Sequence, residues 1–139
     1  MMDRPLNDQP LRGLRVLVVE DDYFLAIELC SALRAAGAAI LGPARDLATG
    51  LAALDGERID CGVLDINLRG RMGFQIATEL RARNIPTIFT TGYDASMIPP
   101  ELADVVRFEK PIDLGGLCRA IEAACSGPAP RRLRAVSES

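Results

Sequence analysis

Four short runs in this sequence hold the residues able to do chemistry: Glu20-Asp21-Asp22, Asp65, Thr91-Gly92 and Lys110-Pro111. The chain contains no histidine, which removes a Ser-His-Asp triad, a His-ligated zinc site and a phosphohistidine carried by this chain. Carboxylates, hydroxyls and lysine must therefore carry any reaction. Acids gathered at one point raise each other's pKa, and keeping them ionised together calls for a counter-charge. Mg²⁺ meets that need, because it takes one or two carboxylates and several waters in an octahedron and leaves positions for phosphate oxygens. Lys110 and Thr91 add a point charge and a hydroxyl donor, the two contacts a phosphoryl group still lacks.

Each run also has an ordinary structural reading. Glu20-Asp21-Asp22 makes a solvated turn with Asp22 as a helix cap, Asp65 caps a strand end, Thr91-Gly92 is a turn, and Lys110-Pro111 precedes a helix. Their common position favours the chemical reading: all four fall at the ends of short apolar runs.

Those runs define the elements. Val16-Leu17-Val18-Val19 reads as a strand, followed by a helix from about Tyr23 to Ala36 that Gly37 closes, with Leu25, Leu29, Ala32 and Ala36 as its packing face. The alternation repeats with Ala39-Ile40-Leu41 and a helix carrying Leu47, Leu51 and Leu54, then Cys61-Gly62-Val63-Leu64 and one carrying Phe74, Ala77 and Leu80. It continues through Thr87-Ile88-Phe89-Thr90 and Val105-Val106-Arg107-Phe108 to a last helix with Leu114, Leu117, Ile121 and Ala124. This order predicts an α/β fold, a five-stranded parallel sheet with helices on both faces, flavodoxin-like and doubly wound (βα)5. Ligands of such sheets sit outside the carboxyl ends of the strands, where the acids, Thr91 and Lys110 fall. Pro99-Pro100 cannot continue a helix, so the fourth helix should be short or late.

One domain is expected over residues 13–125, with a disordered leader over 1–12 and a disordered Pro/Arg/Ser tail over 126–139. A net charge of −3 argues against a direct grip on nucleic acid. Cys30, Cys61, Cys118 and Cys125 form no Cys-x-x-Cys pair and are expected to be reduced, buried thiols of a cytoplasmic protein. No stretch reaches the roughly 20 apolar residues of a membrane span.

Over about Leu14 to Cys125 the chain resembles the receiver domains of two-component response regulators. The resemblance rests on Val18-Val19-Glu20-Asp21, Leu64-Asp65-Ile66-Asn67-Leu68, Thr91-Gly92, Lys110-Pro111 and a glycine, Gly73, eight residues after Asp65. It implies that Asp65 accepts a phosphoryl group from a histidine kinase or a histidine phosphotransfer protein in a Mg²⁺-dependent reaction. Asp21, Asp65, the Asn67 carbonyl and, through water, Glu20 would hold the ion, Lys110 would pair with the phosphoryl oxygens, and Thr91 would move toward them. The result is a signalling switch that catalyses only its own phosphorylation and slow dephosphorylation, and passes the signal to a downstream protein target. Homodimerisation is left open. The run Pro86-Thr87-Ile88-Phe89-Thr90-Thr91-Gly92-Tyr93 loosely resembles alphaproteobacterial single-domain regulators of stress-response phosphorelays, implying a stand-alone receiver.

Three positions depart from the commonest receiver pattern. Arg107 takes the place of an aromatic switch residue, Arg69 that of a proline, and Pro99-Pro100 interrupts the fourth helix. An Arg107 guanidinium is ill suited to an apolar slot, so the response should concentrate in the loop from Thr91 to Glu101. Two other readings compete: a pseudo-receiver that binds partners without phosphorylation, and a phosphatase of the haloacid-dehalogenase type. The second needs an Asp-x-Asp motif after the first strand, which Glu20-Asp21-Asp22 does not supply.

Overall fold

The computed structural model describes residues 9–68, 71–92 and 97–126. Its elements run β1 (Arg15–Val19), α1 (Tyr23–Ala35), β2 (Ala39–Ala44), α2 (Leu47–Ala53), β3 (Cys61–Asp65), β4 (Asn67–Leu68), β5 (Arg71–Met72), α3 (Phe74–Ala82), β6 (Thr87–Thr91), a 3₁₀ turn (Pro100–Leu102), β7 (Val106–Glu109) and α4 (Leu114–Cys125). Five strands make one parallel sheet in the order β2-β1-β3-β6-β7, the expected doubly wound α/β arrangement. β4 and β5 add a small antiparallel pair just past the end of β3.

The inner strands carry apolar runs, Val16–Val19, Cys61–Leu64 and Ile88–Phe89, because both faces of the sheet are covered there. Alternation along each strand sorts the side chains into two layers. Val16, Val18, Cys61, Val63 and Ile88 pack with Leu29, Cys30 and Leu33 of α1 and Leu117, Ile121 and Cys125 of α4. Leu17, Val19, Leu64 and Phe89 pack on the other face with Ile76, Ala77 and Leu80 of α3. Helix starts follow local chemistry: the Asp22 carboxylate accepts from the N–H groups of Phe24 and Leu25, and that of Asp46 from Thr49. Gly37 closes α1 at φ 104°, where any side chain would be strained.

Several expectations shift in detail. The buried face of α1 is Ala26, Leu29, Cys30 and Leu33, with Leu25 and Ala32 only half-buried. In α4 the last core residue is Cys125, with Ala124 half-buried. Cys118 is half-buried, whereas the other three cysteines are buried as expected. Within the expected leader, Leu11 is fully buried and its N–H donates to Ala36 O at 2.8 Å. Residues 1–8 of the leader and residues 127–139 of the tail lie outside the described residues, as do Arg69 and residues 93–96 of the fourth loop. Past Pro99 the chain makes only the 3₁₀ turn, which buries Leu102. Among the described residues, no helix is long and apolar enough to cross a membrane.

Candidate functional site

The carboxyl ends of β1, β3, β6 and β7 converge on one acidic hollow. Glu20 follows β1 and is completely buried, Asp65 ends β3 and is also buried, and Asp21 is half-buried beside them. Carboxylate oxygens of the three lie within 4.8 Å of one another. Lys110, following β7, is the counter-charge: its Nζ lies 3.0 Å from Asp65 Oδ2 and 3.2 Å from Glu20 Oε2. The backbone fixes this reach, since the Lys110 N–H extends the ladder by donating to Thr91 O at 2.9 Å.

Short hydrogen bonds aim the acids. Glu20 Oε2 also accepts from the Asp22 N–H at 3.0 Å, and Asp65 Oδ1 accepts from the Asn67 N–H at 3.1 Å. Glu20 Oε1 is buried with no partner among the described residues. An unsatisfied buried carboxylate oxygen is costly, and a cation bound beside it would offset that cost. A Cβ at Gly73 would sit 2.9 Å from the Asp65 carbonyl oxygen, so a larger residue there would force the backbone at the end of β3 to shift.

Burial pushes the Glu20 carboxyl up, the charge of Asp65 adds to it, and the Asp22 N–H and Lys110 only partly offset them, leaving a pKa of about 7. For Asp65, burial likewise outweighs the hydrogen bond and charge of Lys110, so its pKa is also raised. Burial pulls Lys110 down, but its contacts with Asp65 and Glu20 win and hold it above the ordinary lysine value. The hollow thus holds more negative charge than its one lysine balances, and all its donors are hard oxygens, a set that fits Mg²⁺.

The structure brings together Glu20, Asp21, Asp65 and Lys110, with Asn67 opening β4 just beyond Asp65. Thr91 is buried at the end of β6, and Gly92 lies against the Lys110 side chain. Asp22 stays out of the hollow as the cap of α1. Arg107 is exposed on β7 rather than held in an apolar slot. One residue escaped the sequence reading: Thr90 is the residue in register with Asp65 across β3 and β6.

The sequence profile described as the response regulator receiver domain matches residues 16–122. The chain belongs to the response regulator receiver family. This receiver is 27% identical over 116 residues to the transcriptional regulatory protein PdtaR of Mycobacterium tuberculosis, covering 81% of this chain and 57% of that protein. It therefore spans little more than half the length of that curated relative. Among solved structures, it resembles SdrG of Sphingomonas melonis at 29% identity and TM-score 0.65, covering 80% of this chain and 95% of that one. The receiver domain of PhyR from Erythrobacter litoralis, at 22% identity and TM-score 0.74 over 86% of this chain and 97% of that one, shares the fold.

Proposed function

We propose that this receiver is a phosphorylation-activated switch in which Asp65 accepts a phosphoryl group from the phosphohistidine of a histidine kinase or histidine phosphotransfer protein. The observation that carries the reading is the Lys110 ammonium, which bridges Asp65 and Glu20 within a hollow that keeps excess negative charge. A purely structural ion pair needs one acid per base, and here Glu20 Oε1 is left unpartnered in the interior.

In the transfer, an Asp65 carboxylate oxygen bonds to phosphorus as the phosphorus–nitrogen bond breaks, and the donor imidazole leaves with that electron pair. The Asn67 N–H fixes one Asp65 oxygen, which leaves little freedom in the direction of attack. Lys110 moves its charge from the carboxylates to the phosphoryl oxygens, and Thr91 offers its hydroxyl to one of them. Asp21, Asp65, the Asn67 carbonyl and, through water, Glu20 are the residues that would hold Mg²⁺. The bound ion supplies the charge neutralisation that lets two anions meet.

The donor must approach over the start of α1, where Phe24 is 78% exposed, Tyr23 55% and Ile27 50%. Tyr23 and Phe24 stack edge to face, and Arg45 lies over the Tyr23 ring. Such a patch beside a charged hollow suits docking of an apolar helical surface. The output is contact with a downstream protein in the cytoplasm, without nucleic acid. The test is incubation with Mg²⁺ and phosphoramidate followed by intact-mass measurement. One phosphoryl adduct is expected, absent in Asp65→Asn; no adduct on the native chain would favour a pseudo-receiver.

A further inference from the structure

We propose that Thr90 is a positioning residue for the phosphorylated form of Asp65, its hydroxyl donating to the Asp65 carboxyl once Lys110 has turned to the phosphoryl group. The inference rests on Asp65 being the acceptor. Thr90 pairs directly with Asp65 across β3 and β6, and its carbonyl oxygen accepts from the Ile66 N–H at 3.1 Å. Neighbouring strands stand about 4.8 Å apart, so side chains paired in register on one face are within hydrogen-bonding reach after a small rotation.

Both side chains do share a face. Two residues back along their strands, Val63 and Ile88 point into the layer shared with α1 and α4, and alternation returns Asp65 and Thr90 to the same side. Glu20 follows Val18 on that side as well. Thr91, one residue on, alternates to the other side of the strand, so the two threonines are not interchangeable.

The Thr90 side chain is fully buried, and its Oγ1 has no hydrogen-bond partner among the described residues. Valine has nearly the same shape and would fill this place without the cost of desolvating a hydroxyl. In the resting state both Asp65 oxygens are already served, Oδ1 by the Asn67 N–H and Oδ2 by Lys110 Nζ. When phosphorus bonds to one oxygen and Lys110 follows the phosphoryl charge, the acceptor it leaves faces an idle donor one strand away. The Thr90 hydrogen bond is then present in the phosphorylated form and absent from the resting one, and an interaction that differs between two states shifts their balance.

Beryllofluoride with Mg²⁺, which bonds to an aspartate as a phosphoryl mimic, reads this balance directly on the full chain. Thr90→Val should weaken beryllofluoride binding about tenfold, the equivalent of one hydrogen bond. Without ligand, its thermal midpoint should be unchanged or higher, because the lost hydroxyl was unpartnered. Thr90→Ser should bind beryllofluoride like the native chain. Should Thr90→Val fail to fold, Thr90→Ser against Thr90→Ala isolates the hydroxyl and should show the same gap. Equal affinity for variants with and without the hydroxyl would overturn the proposal. So would a ligand-free thermal midpoint that drops with Thr90→Val, since the hydroxyl would then already be in use at rest. A native chain that binds no beryllofluoride would instead overturn the acceptor reading of Asp65.

Discussion

Lys110 Nζ lies 3.0 Å from Asp65 Oδ2, joining the end of the edge strand to the centre of the sheet. The same ammonium also holds Glu20, so one cation offsets two carboxylates. Removing it leaves both acids uncompensated in a buried place. Lys110→Met should therefore destabilise the metal-free protein by about 1–3 kcal/mol at pH 8, a partial form of breaking a buried pair because the lysine is itself partly exposed. Urea unfolding measures it, and the phosphoramidate adduct should disappear in the same variant. An unchanged midpoint would mean that solvent already screens the acids.

The pH dependence of stability follows from Glu20, whose carboxyl is raised from 4.5 to about 7 in the folded state. Between these values the folded protein keeps a proton that the unfolded chain has released. The resulting stabilisation is fully present below pH 4.5 and is lost as pH rises through 7. Asp65 shifts in the same direction. Without Mg²⁺, stability should fall by about 1–3 kcal/mol across that window. Glu20→Gln should flatten the fall, and a stability that climbs with pH in urea titrations would contradict the assignment.

Asp21 and Asp22 are adjacent, yet they should behave oppositely. Asp21→Ala should weaken Mg²⁺ binding at least about tenfold, the loss of a charged hard ligand, without lowering metal-free stability. Asp22→Ala removes the cap on the Phe24 and Leu25 N–H groups and should cost about 1 kcal/mol of stability with Mg²⁺ affinity nearly normal. Calorimetric titration and thermal melts separate the two; equal losses of affinity would refute the division.

Docking is testable apart from chemistry. Phe24→Asp puts a charge on the exposed aromatic patch and should slow phosphoryl transfer from a phosphorylated donor protein about tenfold or more, as loss of an interface anchor does. Transfer from phosphoramidate, which needs no docking, should be unchanged. Equal slowing with both donors would place Phe24 in the chemistry instead.

The strand ends were legible in the sequence because the forces that make them are local. Val16 to Val19 and Cys61 to Leu64 read as strands from their own apolar content, Asp22 as a cap from its place before a helix, and Gly37 as a stop from its conformational freedom. Placing Glu20, Asp21, Asp65 and Lys110 at one end of a parallel sheet then required only the rule for where such sheets bind ligands. The helix faces were less secure. In α1 the choice between Ala32 and Leu33 as the buried residue depends on how the helix is rotated against the sheet, and alanines spread around the helix at 26, 32 and 35 blur that signal.

Only the tertiary structure settled the partners. Lys110 and Glu20 are 90 residues apart in the chain, and their contact exists because β1, β3, β6 and β7 end side by side. The pairing of Asp65 with Thr90 rather than Thr91 is a matter of register between strands, and a shift of one residue would exchange the faces of the two threonines. Leu11 joined the core for a similar reason, through a backbone bond to Ala36 that no local pattern announces. Register and long-range packing depend on which distant segments meet, and that information is spread over the whole chain.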